Sequence, residues 1–287
     1  MPFYGVCYSP YHRRNDRSGV TESEVDADMA IISSRFTHIR TYSAEDRDQW
    51  NVDKAAKRGL KIALGIWVDD NQPVDANRRN IDHALQQAQS AAANYGGNPV
   101  IDLVVGNEVD RGDNKRLTPT TVYNLMQYAK EQRPRYPNVS ARVAGCFTAK
   151  VLQNANSPWL NVVDYCEGVV YLTVYPWFGN AKPDDINPQM EWSWNNGLRQ
   201  VQERSEEIVI AEIGWPSAGG RDTSVANEQT NYAVTRKWVS GANPLGRNFD
   251  AFWFEMFDEP WKIRDGPQEP HWGLYTSGGD PQPKFPL

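Results

Sequence analysis

The sequence of 287 residues lacks the features of several protein classes. No apolar run approaches the roughly 20 residues of a membrane-spanning helix, so a membrane protein is not expected. Acidic side chains number 36 and basic ones 30, for a net charge of −6, and the basic face that binds nucleic acid is therefore not expected either. The N-terminus has no basic segment followed by a long apolar one, so we expect no signal peptide.

Cysteine and histidine are both scarce. The three cysteines (Cys7, Cys146 and Cys166) are too few for a disulfide framework, and their surroundings predict buried free thiols. The four histidines are scattered, and no Cys/His spacing indicates a metal site. We expect no metal and no other cofactor.

Aromatic residues, in contrast, are abundant. The chain has 11 Trp, 13 Tyr and 9 Phe, a high tryptophan share for so polar a sequence. Either the core is aromatic or part of the surface stacks against flat ligands.

Short apolar runs rich in β-forming residues recur along the chain. They cover residues 3–8, 36–42, 61–68, 101–105, 141–147, 168–175, 208–213 and 249–257. Most are apolar on both faces, which is typical of parallel strands covered by helices.

Helical patterns lie between these runs. Thr21 and Glu24 form a capping box, and Thr118-Pro119 is an N-cap followed by proline. Further helices are predicted from about residue 44 to 58, from residue 77 to 95, and over 189–204 and 227–239. Strands alternating with helices predict one α/β domain over residues 1–287, a single (β/α)₈ TIM barrel. The alternative is a doubly wound sheet, but no Gly-x-Gly-x-x-Gly follows the first strand.

Active sites of such barrels lie at the carboxyl ends of the strands. Glu108 follows the fourth run by three residues and Glu212 is the last but one of the seventh, where a carboxylate is costly unless it is paired or used in chemistry. An ion-pair network at the barrel rim is the alternative for either residue alone. Two carboxylates in an aromatic cleft suit glycoside hydrolysis. Neither a strand-end lysine for a Schiff base nor a histidine cluster is present.

Motifs along the whole chain resemble those of glycoside hydrolase family 17. Residues 105–108 (VGNE) and 211–217 (AEIGWPS) are similar to its two signatures. Residues 254–262 (FEMFDEPWK), 272–275 (WGLY) and 40–42 (RTY) resemble three further segments. Glu255 stands where plant members usually carry Ala, so the resemblance is nearer the fungal and bacterial branch.

The resemblance implies a retaining enzyme acting on β-1,3-glucan, with Glu108 as general acid/base and Glu212 as nucleophile. It also implies accessory roles for Glu259, Lys262 and Glu269. Some microbial members transfer glucan chains, and extracellular or cell-wall location is expected from the family.

Further substrate-binding residues are predicted at the strand ends. Arg40 could hold a site carboxylate or form a structural salt bridge. Asn107 is a candidate for the sugar 2-hydroxyl. Tyr175 could hydrogen-bond Glu212 or simply pack, and Thr173 is predicted to be strand-end filler. The remaining candidates for the substrate site, several of them as stacking platforms, are Tyr42, Trp177, Trp215, Glu255, Glu259, Trp261 and Lys262.

A monomeric glycosidase that binds β-1,3-glucan oligo- or polysaccharide is the leading hypothesis, with retention and some transglycosylation. A predominant glucanosyltransferase is the first alternative. A catalytically silent glucan-binding barrel is the second, and the presence of Glu108 and Glu212 argues against it.

Overall fold

The computed structural model describes residues 4–45, 48–69, 71–111, 117–150, 156–204 and 207–287. Within them, eight parallel strands close into a barrel in chain order, and β8 pairs with β1. The strands are β1 (Tyr4–Cys7), β2 (His38–Arg40), β3 (Lys61–Ile66), β4 (Val100–Val105), β5 (Arg142–Thr148), β6 (Val169–Thr173), β7 (Glu207–Ile213) and β8 (Asp250–Trp253). The predicted (β/α)₈ barrel is confirmed, and each predicted run contains or overlaps one strand.

Helices connect the strands on the outside. They are α1 (Glu22–Ser33), α2 (Asn51–Lys57), α3 (Val74–Tyr95), α4 (Pro119–Gln132), α5 (Leu160–Val163), α6 (Asn187–Ser193), α7 (Arg199–Gln202) and α8 (Val225–Val239). The capping box at Thr21 and the N-cap at Thr118 both form as predicted. The helix expected from residue 44 begins later, at Asn51, and residues 46–47 lie outside the described chain. No helix among the described residues is both long and apolar enough to cross a membrane.

Two apolar layers hold the barrel together. The inner layer fills the barrel and includes Cys7, Cys146, Tyr171 and Phe252, with the last two rings stacked 6.4 Å apart. The larger outer layer lies between the strands and the helices. Cys7 and Cys146 are buried free thiols as predicted, and Cys166 is a free thiol that is only partly buried. The filled interior leaves the mouth at the carboxyl ends of the strands as the place for a ligand.

Candidate active site

An open cleft of about 1650 Å³ lies across the carboxyl ends of the strands. Residues at the end of every strand, or in the loop that follows it, contribute to its lining. Its volume exceeds the roughly 300–1,000 Å³ of a pocket for a drug-sized ligand. The cleft is therefore large enough for a ligand built of several units.

Glu108 enters this cleft from a tight turn after β4. Gly106 has φ 76°, and Glu108 itself has φ 45°, in the left-handed region that a side chain disfavours. The Arg111 amide closes the turn by donating to the Glu108 carbonyl at 3.0 Å. Thr173 Oγ1 donates to Glu108 Oε1 at 2.6 Å, and Arg111 Nη1 donates to Oε2 at 2.8 Å. The sequence predicted the position of Glu108 but not these two donors.

The surroundings of Glu108 favour its protonated form. Burial raises the pKa of the Glu108 carboxyl, and the negative charge of Glu212 raises it further. The hydrogen bonds from Thr173 and Arg111 oppose this change in pKa without cancelling it. Glu108 can therefore keep a proton at a pH where an exposed glutamate has lost it, which is the requirement for a general acid.

Glu212 lies near the end of β7 and is only 3% exposed. Arg40 Nη1 and the Tyr42 hydroxyl donate to its Oε1 at 2.5 and 2.9 Å, and the Tyr175 hydroxyl donates to Oε2 at 2.6 Å. These three donors fix the orientation of the carboxylate. The contact predicted between Tyr175 and Glu212 is present, and Tyr42 reaches the same carboxylate through its hydroxyl.

Arg40 connects Glu212 to the turn that carries Glu108. Its second guanidinium nitrogen, Nη2, donates to Asn107 Oδ1 at 2.6 Å, so it does not bind Glu212 with both nitrogens. Because the Asn107 oxygen accepts this bond, the amide NH₂ of Asn107 is turned away from Arg40. Arg40 is itself buried and does not line the cleft, so it is the buried ion-pair partner of Glu212 and not the direct substrate-binding residue that was predicted.

Thr173 brings the two glutamates together. It ends β6, its Cα pairs with that of Glu212 on β7, and its hydroxyl bonds Glu108. The prediction of Thr173 as strand-end filler is wrong, because the hydroxyl points into the cleft, which it lines. Both carboxylates thus lie near the end of β6.

A buried charged triad lies after β8. Lys262 Nζ is 2.9 Å from Glu255 Oε1 and 2.6 Å from Glu259 Oε2, and Ser9 donates to the other oxygen of Glu259. Burial lowers the pKa of Lys262, but the two carboxylates outweigh it and raise that pKa overall. Lys262 and Glu259 line the cleft, together with Glu269, whereas Glu255 is 1% exposed and does not. The prediction of Glu255 as a substrate-binding residue is therefore wrong: it is the buried counter-ion of Lys262.

The predicted aromatic platforms divide into two groups. Trp261 lines the cleft, with the Arg17 guanidinium 5.3 Å from its ring centre, and Tyr42 lines it as well. Trp215 is completely buried, and its Nε1 donates to the Asp222 carbonyl at 2.9 Å. The expectation that Trp215 stacks on sugar is therefore wrong.

Trp177 also differs from its predicted role. Its Nε1 donates to the Arg221 carbonyl at 2.8 Å, its ring packs edge-on against Trp272, and it does not line the cleft. It supports the loop after β7 rather than offering a face to a ligand.

Aromatic side chains other than Trp177 and Trp215 line the cleft. Trp67 is 49% exposed at the cleft, and Trp159, Phe178, Trp192 and Trp272 also line it. Trp159 and Trp192 belong to connections that no periodicity orients, so the sequence carried no signal for their direction. Among the described residues, no group of three His, Cys, Asp or Glu side chains is placed to hold a metal ion.

A closed (β/α)₈ barrel with two glutamates that interact electrostatically in a large cleft lined by aromatic side chains defines the class of barrel glycosidases. Comparison with known families agrees and is more specific. The chain belongs to the BtgE/BtgC glycoside hydrolase domain family, whose model matches residues 5–273.

Two fungal relatives illustrate the similarity. The chain is 28% identical over 312 residues to the probable glucan endo-1,3-beta-glucosidase btgC of Aspergillus fumigatus, which covers 98% of this chain and 42% of that protein. It is 26% identical to a glucan 1,3-beta-glucosidase of Arthroderma benhamiae, over 95% of this chain and 87% of that protein. The chain thus spans less than half the length of the btgC relatives.

Solved structures share the fold. The glycoside hydrolase family 17 beta-1,3-glucanosyltransferase of Rhizomucor miehei has a TM-score of 0.73 at 22% identity, covering 99% of this chain and 97% of that one. An endo-laminarinase from Formosa has a TM-score of 0.78 at 18% identity, covering 96% and 83%. The resemblance to family 17 is confirmed.

Proposed function

We propose that the protein is a retaining glycoside hydrolase that cleaves β-1,3-glucan. The observation that carries the proposal is the arrangement of Glu108 and Glu212 around the end of β6, one with a raised pKa and the other held by three donors. The names of the fungal relatives support the substrate class. The proposal requires the carboxyl groups of Glu108 and Glu212 to lie roughly 5–5.5 Å apart, as they do in retaining enzymes.

In the first step, the Glu212 carboxylate attacks the anomeric carbon while protonated Glu108 gives its proton to the departing glycosidic oxygen. The bond between carbon and oxygen breaks, and a glycosyl ester forms on Glu212. This step removes the negative charge of Glu212. Because that charge helps to raise the pKa of Glu108, Glu108 ionises more readily afterwards.

In the second step, the Glu108 carboxylate takes a proton from an incoming hydroxyl, whose oxygen attacks the same carbon and releases Glu212. Water as acceptor gives hydrolysis, and a sugar hydroxyl gives transglycosylation. Arg40, Tyr42 and Tyr175 keep the Glu212 oxygens aligned through both steps. The Asn107 amide, fixed by Arg40, donates to the sugar 2-hydroxyl, a contact that strengthens in the transition state.

The aromatic side chains bind the rest of the polymer. Trp67, Trp261, Trp159 and Trp192 present faces or edges to the cleft from four different connections. Sugar rings stack on such faces, and the polar residues between them accept and donate hydrogen bonds. We propose that residues 1–287 act as one monomeric catalytic domain, and that a polymeric substrate places the enzyme outside the cell or at the cell wall.

Turnover assays test the substrate and the residue roles together. We expect release of reducing sugar from laminarin and little from β-1,4- or β-1,6-glucan, with the β-anomer formed first when products are followed by proton NMR. Glu108→Gln and Glu212→Gln should each lose at least about 10³-fold in kcat, consistent with the loss of an acid/base or a nucleophile. Glu131→Gln, on the exposed surface of α4, is the matched control and should keep wild-type turnover. First release of the α-anomer, or near wild-type turnover by either site variant, would contradict the proposal.

A predominant glucanosyltransferase is the second candidate. The aromatic side chains Trp159, Phe178 and Trp192 follow β5 and β6 and line the same cleft as Glu108, where they could bind an acceptor sugar. Sizing the products from laminari-oligosaccharides decides between the two: products longer than the donor indicate transfer, and only shorter ones indicate hydrolysis. Binding of laminarin without any turnover would instead support the silent binding barrel.

A further inference from the structure

The turn that directs Glu108 into the cleft also places the Arg111 side chain beside the Glu108 carboxyl. Residues 108–111 are joined by the hydrogen bond from the Arg111 amide to the Glu108 carbonyl at 3.0 Å. This short turn places the Arg111 guanidinium 2.8 Å from Glu108 Oε2. The Arg111 side chain is 53% exposed, whereas that of Glu108 is 14% exposed. The guanidinium therefore covers the carboxyl from the solvent side.

The contact with Arg111 suits one of the two protonation states of Glu108 better than the other. Its Oε1 accepts from Thr173 and its Oε2 accepts from Arg111. A guanidinium can only donate, and a carboxylate can only accept. A protonated carboxyl can give its hydrogen to the Thr173 hydroxyl, which accepts as well as donates, but its neutral oxygen is a weaker acceptor for the Arg111 guanidinium. Although the surroundings as a whole raise the pKa of Glu108, Arg111 by itself favours ionised Glu108, the state that exists after the proton has been given away.

We propose that Arg111 is a positioning residue that stabilises the Glu108 carboxylate while it acts as base in the second half of the reaction. This inference rests on the proposed function. Glu108 gives its proton to the leaving oxygen in the first step and removes one from the acceptor hydroxyl in the second. Arg111 keeps all its protons throughout, so it supplies a fixed positive charge and a hydrogen bond.

The other groups that face Glu108 act in the opposite direction or are neutral. Glu212 on β7 is negative before the first step, and Tyr175 and Cys146 are neutral neighbours whose own pKa values are raised by burial. Asp110 lies beside Arg111, but its oxygens accept from the amide and hydroxyl of Thr148. Covalent attack neutralises Glu212, so the charge of Glu108 then stands next to Arg111 without that repulsion.

The pH profile of kcat/KM tests whether Arg111 stabilises the Glu108 carboxylate in the free enzyme, which is the physical basis of this role. Its alkaline limb reports the ionisation of the acid in the free enzyme. Arg111→Gln removes the charge, so we expect this limb to move up by about half a pH unit, less than the 1–3 units of a desolvated partner because the pair is partly exposed. Arg111→Lys should keep most of the effect. Arg78→Gln is the matched control, since Arg78 forms another exposed pair of the same spacing, with Asp75 on α3. It should leave the limb unchanged.

A second measurement does not depend on the substrate. The carboxyl of Glu108 is titrated by ¹³C NMR in wild type and Arg111→Gln, with the signal assigned by its loss in Glu108→Gln. The same upward displacement is expected. If wild type turns over no glucan, the proposed function fails while this titration still reports on the contact. A titration that coincides in the two proteins, or an equal loss of activity at every pH with no displacement of the limb, would overturn the inference.

Discussion

Replacing Arg40 by methionine tests how strongly the site depends on one buried cation. Arg40 is 1% exposed and donates to Glu212 at 2.5 Å and to Asn107 at 2.6 Å. Methionine keeps much of the length and the apolar stem but removes both donors and the charge. Glu212, itself nearly inaccessible, would retain only the two tyrosine hydroxyls, Tyr42 and Tyr175.

The expected cost follows from leaving a buried carboxylate without its counter-ion. Such single removals cost about 3–5 kcal/mol of unfolding free energy, because the desolvated charge remains. With roughly 2.1 cal/mol/K of unfolding entropy per residue, 287 residues convert this into a fall of about 5–8 °C in Tm. The double variant Arg40→Met/Glu212→Gln has no unpaired charge, so it should recover about 2–3 kcal/mol of that loss.

Thermal and urea unfolding of wild type, Arg40→Met, Glu212→Gln and the double variant at neutral pH together form a double-mutant cycle, which measures the interaction between the two residues. Circular dichroism of each folded protein controls for a change of fold. If the two single effects add to within about 0.5 kcal/mol, the sites are independent. The interpretation of Arg40 as the electrostatic partner of Glu212 would then be refuted.

Two further predictions follow from burial. Trp215→Ala should cost about 3–5 kcal/mol of unfolding free energy with little change in KM for laminari-oligosaccharides. Trp67→Ala should raise KM by about 2–10-fold with little loss of stability. Steady-state kinetics and urea unfolding of both variants check this, and a large effect of Trp215→Ala on KM would contradict it. Burial raises the pKa of Asp48 from 3.8 to about 6, so the folded state holds this proton more tightly than the unfolded one, and the stability it contributes is lost as pH rises through about 6. Asp48→Asn should therefore gain stability relative to wild type between about pH 4 and 7, and parallel stability curves for the two proteins would be the opposing result.

The sequence was sufficient for those parts of the site that backbone periodicity positions. The apolar runs had to be buried on both faces, so they predicted the barrel strands. A residue at or just after the carboxyl end of such a strand lies at the mouth whatever its side chain contacts, so Glu108 and Glu212 could be placed from the sequence alone. Arg40 and Tyr175 were predicted as site residues for the same reason. The alternative was a structural ion pair for Arg40 and simple packing for Tyr175.

Side-chain direction beyond the strand ends could not be predicted in the same way. Trp215 and Trp67 both follow an apolar strand, yet Trp215 is completely buried and Trp67 is 49% exposed. Glu255 appeared beside Lys262 in the motif, but only the three-dimensional arrangement shows that it is buried beneath the lysine. Thr173 was missed because a hydroxyl at the end of a strand gives no periodic signal.

The left-handed backbone conformation of Glu108 lowers the stability of the fold at the position where the proposed activity needs a carboxyl group. A side chain at φ 45° costs about 1–2 kcal/mol, and burying its carboxyl adds to that cost. Glycine adopts this conformation freely and asparagine tolerates it, so selection for thermal stability alone would favour Glu108→Gly or Glu108→Asn at the position proposed for the acid/base. A programme of directed evolution on this barrel therefore needs an activity screen in every round, since its easiest gain in stability removes the residue on which the proposed chemistry depends.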